Sequence, residues 1–341
     1  MMINEGAPGI IYDQKLFQRD VRRDLRNCVL FLFFFYAVNI IASSIIQAVY
    51  MFTNPEVISS MMGALADNPL ASMNTTVEAA MGAIDGNVLG LMSIVGMVAG
   101  GCVFLILRKS RFFTDVALPA AEPLTIKIFI ILVVISQGFQ GVYSLITTLV
   151  DSLLPEGLSI QESYGAIVEN LFSPIGFLYI ILIGPIFEEL IFRGAIQGTL
   201  RRFGENFAIL FSSLLFGFYH MLILQIPFGF VMGLLLGYVA SRWSLRAAIA
   251  LHIVINGLSV LVSFAEQETV ANIIMIIMLA CAGAVVIMGI VWRDALRARV
   301  RGGAAYYENT YAYGFSSIAF WIFVVVMAAI GLLQVAGFSV L

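Results

Sequence analysis

Residues 174–199, PIGFLYIILIGPIFEELIFRGAIQGT, decide how this chain folds. The run is long enough to cross about 30 Å of hydrocarbon, which takes around 20 apolar residues. Yet it holds Glu188, Glu189 and Arg193. A charged side chain at the bilayer centre costs roughly 2.5–3.5 kcal/mol on the lenient insertion scale. Such groups therefore face a protein interior, where they pair or do chemistry. Glu189 and Arg193 stand four apart, on one helix face, and an intramembrane arginine needs a partner. Pairing them leaves Glu188, about 100° further round the helix, facing a different neighbour. The competing reading is a folding clamp in which both acids hold the arginine. Gly184 and Pro185 come one turn earlier. Pro185 removes the helix hydrogen bond to Ile181 and predicts a kink, while Gly194 and Gly198 permit close helix approach.

The rest of the chain has the same character. Of 341 residues, 61% are hydrophobic and only 11% charged, with a mean hydropathy of +0.99. Soluble domains run about 25% charged, so the composition predicts an all-α fold, a polytopic transmembrane helical bundle of about 8–9 spans. Apolar segments fall near 28–52, 88–107, 126–150, 174–199, 206–224, 226–242, 246–265, 271–292 and 315–340. No stretch between them is long enough for a soluble domain. Residues 1–27 read as a cytoplasmic N-terminal arm, and 28–341 as one membrane domain with its catalytic core at about 174–265. In the arm, Leu16, Phe17, Val21 and Leu25 recur at helical spacing among basic residues. That pattern suits an interfacial amphipathic helix on an anionic leaflet or a solvated arm. The polar first 27 residues are no cleavable signal peptide, so the first apolar segment is expected to be an uncleaved anchor. Residues 53–87 read as an external loop carrying a glycosylation triplet at Asn74-Thr75-Thr76, and 302–314 as a Gly/Tyr-rich cytoplasmic connection.

The basic residues test orientation, because cytoplasmic loops carry an excess of Lys and Arg. With nine spans and a cytoplasmic N-terminus, all 18 Lys and Arg lie toward one side. They fall in the N-terminal arm, around 108–127, at Arg193, Arg201 and Arg202, at Arg242 and Arg246, and over 293–301. The opposite loops carry acids such as Glu56, Asp85, Asp151, Glu162 and Glu266. This places the chain in the cell membrane, multi-pass, N-terminus inside. The net charge of −3 says nothing about partners, and no basic run suits nucleic acid, which is not expected as a partner.

Two further motifs follow: Phe216-Gly217-Phe218-Tyr219-His220 and His252-Ile253-Val254-Ile255-Asn256. They contain the chain's two histidines. Phe216, one turn before His220, can floor a pocket beneath the imidazole. His252 and Asn256, four apart, would point into one cavity, and both can donate hydrogen bonds to an oxyanion developing on a carbonyl. A carboxylate beside an imidazole can deprotonate water. The set therefore describes amide hydrolysis by activated water. Serine chemistry fits less well, since there is no GxSxG elbow and Ser212 and Ser213 have no evident triad. Zinc chemistry is weaker too, because HExxH is absent and ligands would have to converge from three helices. Cys28, Cys102 and Cys281 are too scattered for a metal site or disulfide framework and read as small hydrophobes. A proton-coupled transporter could also use intramembrane Glu, His and Arg, although no internal repeat supports it. A non-catalytic immunity or scaffold protein with a structural polar core is the remaining alternative. Counting about 1.5 Å per residue puts Glu188 and His220 roughly 20 Å from the basic boundaries but His252 only about 9 Å from Arg246. The turn at 242–246 must dip inward, or the helices tilt strongly, for the three to meet.

At these residues the sequence resembles the CAAX prenyl endopeptidase family, also called the CPBP or Abi family of intramembrane glutamic proteases. The family pattern EExxxR, FxxxH and HxxxN/D is met in order by Glu188/Glu189/Arg193, Phe216/His220 and His252/Asn256. The resemblance implies an enzyme with no cofactor and no metal. Glu188 would be the general base, with His220 orienting the water and His252 and Asn256 forming the oxyanion site. Glu189 and Arg193 would support the geometry. It also implies a peptide or protein substrate associated with the lipid bilayer. Eukaryotic members trim prenylated CAAX proteins, and prokaryotic members are linked to peptide processing, bacteriocin production or self-immunity. The basic cytoplasmic side and short loops look bacterial and favour an unprenylated or peptide substrate, with lipidated and bacteriocin-like peptides both open.

Overall fold

The computed structural model describes residues 13–67, 84–108, 123–154, 171–265, 267–303, 305 and 307–335, and the Asn74 triplet lies outside them. The described residues are helical, with no strand among them. In chain order the helices are α1 Gln14–Thr53, α2 Pro55–Asp67, α3 Gly86–Arg108, α4 Ile126–Ser152, α5 Pro174–Phe203 and α6 Glu205–Tyr219. They continue as α7 Gln225–Arg242, α8 Leu245–Ser263, α9 Glu268–Val291, α10 Arg293–Gly302, α11 Thr310–Phe315 and α12 Ile318–Val335. Each apolar segment of the sequence overlaps a helix among the described residues. Five are long and apolar enough to cross a membrane, namely α1, α4, α5, α8 and most of α9. Shorter apolar stretches occupy 86–102, α6 and 318–334. The fold is an all-α membrane bundle.

Local chemistry sets where these helices start. Thr125 Oγ1 accepts from Ile128 N at 3.3 Å, Ser173 Oγ from Gly176 N at 3.0 Å, and Ser244 Oγ from Ala247 N at 3.1 Å. Each bond satisfies an N–H that a helix N-terminus would leave unpaired. Two expected loops contain helix as well. Residues 55–67, expected in the external loop, form α2 with Pro55 at its first position, where a missing N–H costs nothing. Thr310–Phe315, overlapping the end of the connection at 302–314, forms α11, and its Tyr311 and Tyr313 pack against the core with Tyr307 just before it.

α5 runs through the middle and touches α1, α3, α6, α7 and α8. Two apolar clusters flank it. One is largely aromatic and joins α1, α5, α6 and α12 through Phe35, Phe192, Phe207, Phe211, Phe216 and Phe323. The other joins α4, α7 and α8 through Leu132, Leu236, Val239, Leu251 and Ile255. The outer faces are apolar as well, with Ile41, Ile45, Phe52, Ile276, Ile287 and Ile290 exposed, a surface suited to hydrocarbon. Cys28 is buried, but Cys102 is exposed and Cys281 half-buried, so two of the three thiols lie nearer the outer surface than expected.

The N-terminal arm is continuous with the first apolar segment in the 40-residue α1. Its apolar stripe meets protein: Phe17, Val21 and Leu25 are buried in the first cluster, while Leu16 is exposed. Asp24, next to that stripe, pairs with Arg202 at the end of α5 at 2.5 Å.

Candidate active site

α5 is not a uniform helix. Tyr179–Ile183 and Leu190–Gln197 are wound in the wider π register, a departure found mostly as local bulges and often at functional sites. The first has an identifiable cause. Gly184 N–H donates to Tyr179 O, five residues back. The next carbonyl in that register, Ile180 O, would take its hydrogen from residue 185, which is proline and has none. Asn256 Nδ2 of α8 supplies it instead, at 2.9 Å. The orphan expected at Ile181 is therefore displaced by one residue, because the register is π and not α.

The six residues after Gly184 carry the acids, and the two part company as their spacing predicts. Glu189 is fully buried, and its Oε1 lies 2.9 Å from Arg193 Nη1. The same oxygen accepts from His252 Nδ1 at 2.9 Å. Arg193 is held in turn by Gly233 O at 3.3 Å from Nη2, and its guanidinium lies 4.2 Å from the centre of the Phe216 ring, within the range of a cation–π contact. Arg193 is thus a core residue at 4% exposure, not the boundary marker the charge count made of it. The side chain of Glu188 remains 13% exposed, and its Oε2 lies 3.6 Å from His252 Nε2. Glu188 has no Lys or Arg ion pair among the described residues.

The two histidines are oriented by different helices, His252 by α5 and His220 by α6. His252 presents Nδ1 to Glu189 and Nε2 to Glu188. His220 follows the last residue of α6, and its Nδ1 lies 2.9 Å from Phe216 O. A carbonyl can only accept, so Nδ1 carries the hydrogen and, in the neutral ring, Nε2 is the free acceptor. Phe216 stands edge-on to both rings, 4.8 Å from His220 and 5.9 Å from His252 between centroids. It is a wedge between the imidazoles as much as a floor. Gly229 of α7 allows this approach, since a Cβ there would sit 3.2 Å from both His220 Nδ1 and Gly217 Cα. The turn between α7 and α8 is packed into the protein, with Trp243 and Leu245 each 8% exposed.

Glu188, Glu189, Arg193, Phe216, His252 and Asn256 thus converge on one region, with His220 across Phe216. Asn256 is close by, but one of its two amide hydrogens is committed to Ile180 O. Three tyrosines escaped the sequence reading. Tyr36, Tyr179 and Tyr219 lie near enough to feel the charge of Glu188, as does His220. Tyr219 adjoins His220 in sequence, but nothing in the sequence links Tyr36 to the site. Ser212 Oγ donates to Phe192 O at 2.7 Å and Ser213 Oγ to Ile209 O at 2.6 Å, so both hydroxyls serve backbone carbonyls.

Residues 170–258 match the family model described as type II CAAX prenyl endopeptidase Rce1-like. The chain carries an Rce1-like domain. That segment contains all seven residues of the three motifs and most of the helices that hold them, α5, α6, α7 and much of α8. The Rce1-like family is one of CAAX-type proteases, which agrees with the resemblance drawn from the motifs. No curated protein and no solved structure matches the chain. α1 to α4 and α9 to α12 lie outside the Rce1-like segment, yet α1 reaches the site through Tyr36.

Proposed function

We propose that the chain is an intramembrane glutamic endopeptidase that hydrolyses a peptide bond of a membrane-associated peptide or protein. One observation carries the reading: of two adjacent acids, Glu189 is buried and neutralised by Arg193, while Glu188 stays partly open beside an imidazole. A carboxylate in that position is a base awaiting a water.

Glu188 takes a proton from water, and the hydroxide adds to the scissile carbonyl carbon. His220 Nε2, left as an acceptor by the Nδ1 bond to Phe216 O, orients that water. The oxyanion of the tetrahedral intermediate receives hydrogen bonds from His252 Nε2 and from the second amide hydrogen of Asn256. Donation from Nε2 requires the doubly protonated ring, because Nδ1 already donates to Glu189. That cation and Arg193 together balance the two carboxylates, as a buried site demands. Glu188 then returns its proton to the leaving amine as the C–N bond breaks. Every step uses side chains alone, without a metal or cofactor.

The positive-inside pattern supports a plasma-membrane protein with the N-terminus in the cytoplasm. The family's name supports a prenylated C-terminal substrate, whereas the short loops and basic inner face favour an unprenylated, bacteriocin-like peptide. The test is cleavage of matched prenylated and plain membrane-anchored peptides by purified protein. Preference for the plain series supports the second class, and preference for the prenylated series overturns it.

A further inference from the structure

The His220 turn is held from outside the Rce1-like segment by two helices. α6 stops at Tyr219, and Met221 then adopts φ 54, the one non-glycine positive φ among the described residues. A bulky residue in that region is strained and persists where its surroundings fix it. A helix end also leaves carbonyls without an N–H partner. At Tyr219 O the partner is the Tyr36 phenol of α1, which donates to it at 2.5 Å. The Tyr36 ring lies 5.4 Å from that of Tyr219, which lies 5.6 Å from His220. α12, which packs against α1, also brings its backbone onto this turn. A Cβ at Gly331 would come within 2.6 Å of Met221 O and 3.3 Å of Ile223 N.

We propose that Tyr36 and Gly331 are positioning residues for His220: α1 and α12 clamp the backbone of residues 219–221, and so set where the imidazole points. His220 lies beyond the helix end, and its one side-chain hydrogen bond runs to Phe216 O on the same element. That bond fixes the ring relative to α6, and the N–H groups of His220 and Met221 donate to Gly217 O and Phe218 O, which leaves the Tyr219 carbonyl and the strained Met221 to be held by other helices. The link to catalysis rests on the proposed role of His220, but the clamp is a geometric statement that can be tested without turnover.

The chain has two histidines, so protein carrying 15N-histidine and a histidine-free purification tag gives two sets of imidazole signals. His252→Gln assigns them. Tyr36→Phe keeps the ring and deletes the hydroxyl, and Gly331→Ala inserts the clashing Cβ. Gly283→Ala is the control, since a Cβ there meets nothing within 4 Å. The clamp predicts that the His220 signals shift in Tyr36→Phe and Gly331→Ala while those of His252 stay in place. Tyr36→Phe should lower the unfolding midpoint only slightly, as the loss of one hydrogen bond to a buried carbonyl does, and Gly283→Ala should move neither ring. Unmoved His220 signals in Tyr36→Phe overturn the proposal, as does equal movement of both histidines with a lowered midpoint. Tyr36→Phe decides the matter should Gly331→Ala fail to fold. With a cleavable peptide, Tyr36→Phe should lower kcat about ten- to hundredfold, the scale of a misplacement of about 1 Å, with KM held. A raised KM at unchanged kcat would instead make Tyr36 a substrate contact and overturn the positioning role. Wild-type protein that cleaves nothing defeats the protease reading and leaves the imidazole comparison standing.

Discussion

Asn256→Ala tests the account of the broken helix, and its size follows from the structure. The substitution removes the 2.9 Å bond to Ile180 O. No backbone donor can replace it, because Gly184 N–H is already given to Tyr179 O and residue 185 is proline. Hydrogen bonds between membrane helices average about 0.6 kcal/mol and reach about 1.7, and an unsatisfied buried acceptor costs about 1–3 kcal/mol. A carbonyl with no alternative belongs at the upper end, so Asn256→Ala should destabilise by about 1.5–2 kcal/mol. Pro185→Ala restores an N–H at the position the π register requires. In that background the same substitution should cost only about 0.5 kcal/mol, a coupling of roughly 1 kcal/mol between residues 71 positions apart. Reversible unfolding of the four proteins by detergent titration measures the cycle. Equal costs of Asn256→Ala in both backgrounds, within about 0.3 kcal/mol, would refute the link between Pro185 and Asn256.

Arg193→Met leaves the buried Glu189 carboxylate without its guanidinium partner and should destabilise by about 3–5 kcal/mol. Adding Glu189→Gln should recover part of that loss in the same titration. Gly229→Ala pushes a methyl toward His220 Nδ1 and Gly217 Cα and should cost about 1–3 kcal/mol, measured against Gly283→Ala as a neutral control. Ser212→Ala removes a donor from Phe192 O, so it should lower stability by about 1 kcal/mol while cleavage continues. Loss of turnover in that variant, with the fold intact, would point to serine chemistry.

The sequence made the partition of the two acids readable because it follows from local helix geometry. Four residues place Arg193 under Glu189, and the π turn that follows preserves their contact. The gathering of His220 and His252 was likewise expected from the energetic expense of intramembrane polar groups. What escaped depends on partners far away in the chain. The π register at Tyr179–Ile183 is completed by Asn256, 76 residues from Ile180. Tyr36 reaches the site across 183 residues, and its tyrosine looks like any other in an apolar segment. The arm at 13–26 kept its amphipathic spacing, but periodicity cannot say whether a stripe meets lipid or protein, and here Phe17, Val21 and Leu25 meet protein. Arg193 misled as a boundary marker for a related reason: a charge count cannot distinguish a cytoplasmic arginine from one sealed against a carboxylate.

The central claim is that Glu188 activates water with no metal. It is tested most directly by cleavage of a lipid-embedded peptide library by the wild type and by Glu188→Gln, with and without chelator. The account predicts cleavage that survives chelation and disappears in Glu188→Gln while its unfolding transition matches the wild type. Cleavage abolished by chelator, or retained by Glu188→Gln, would contradict it.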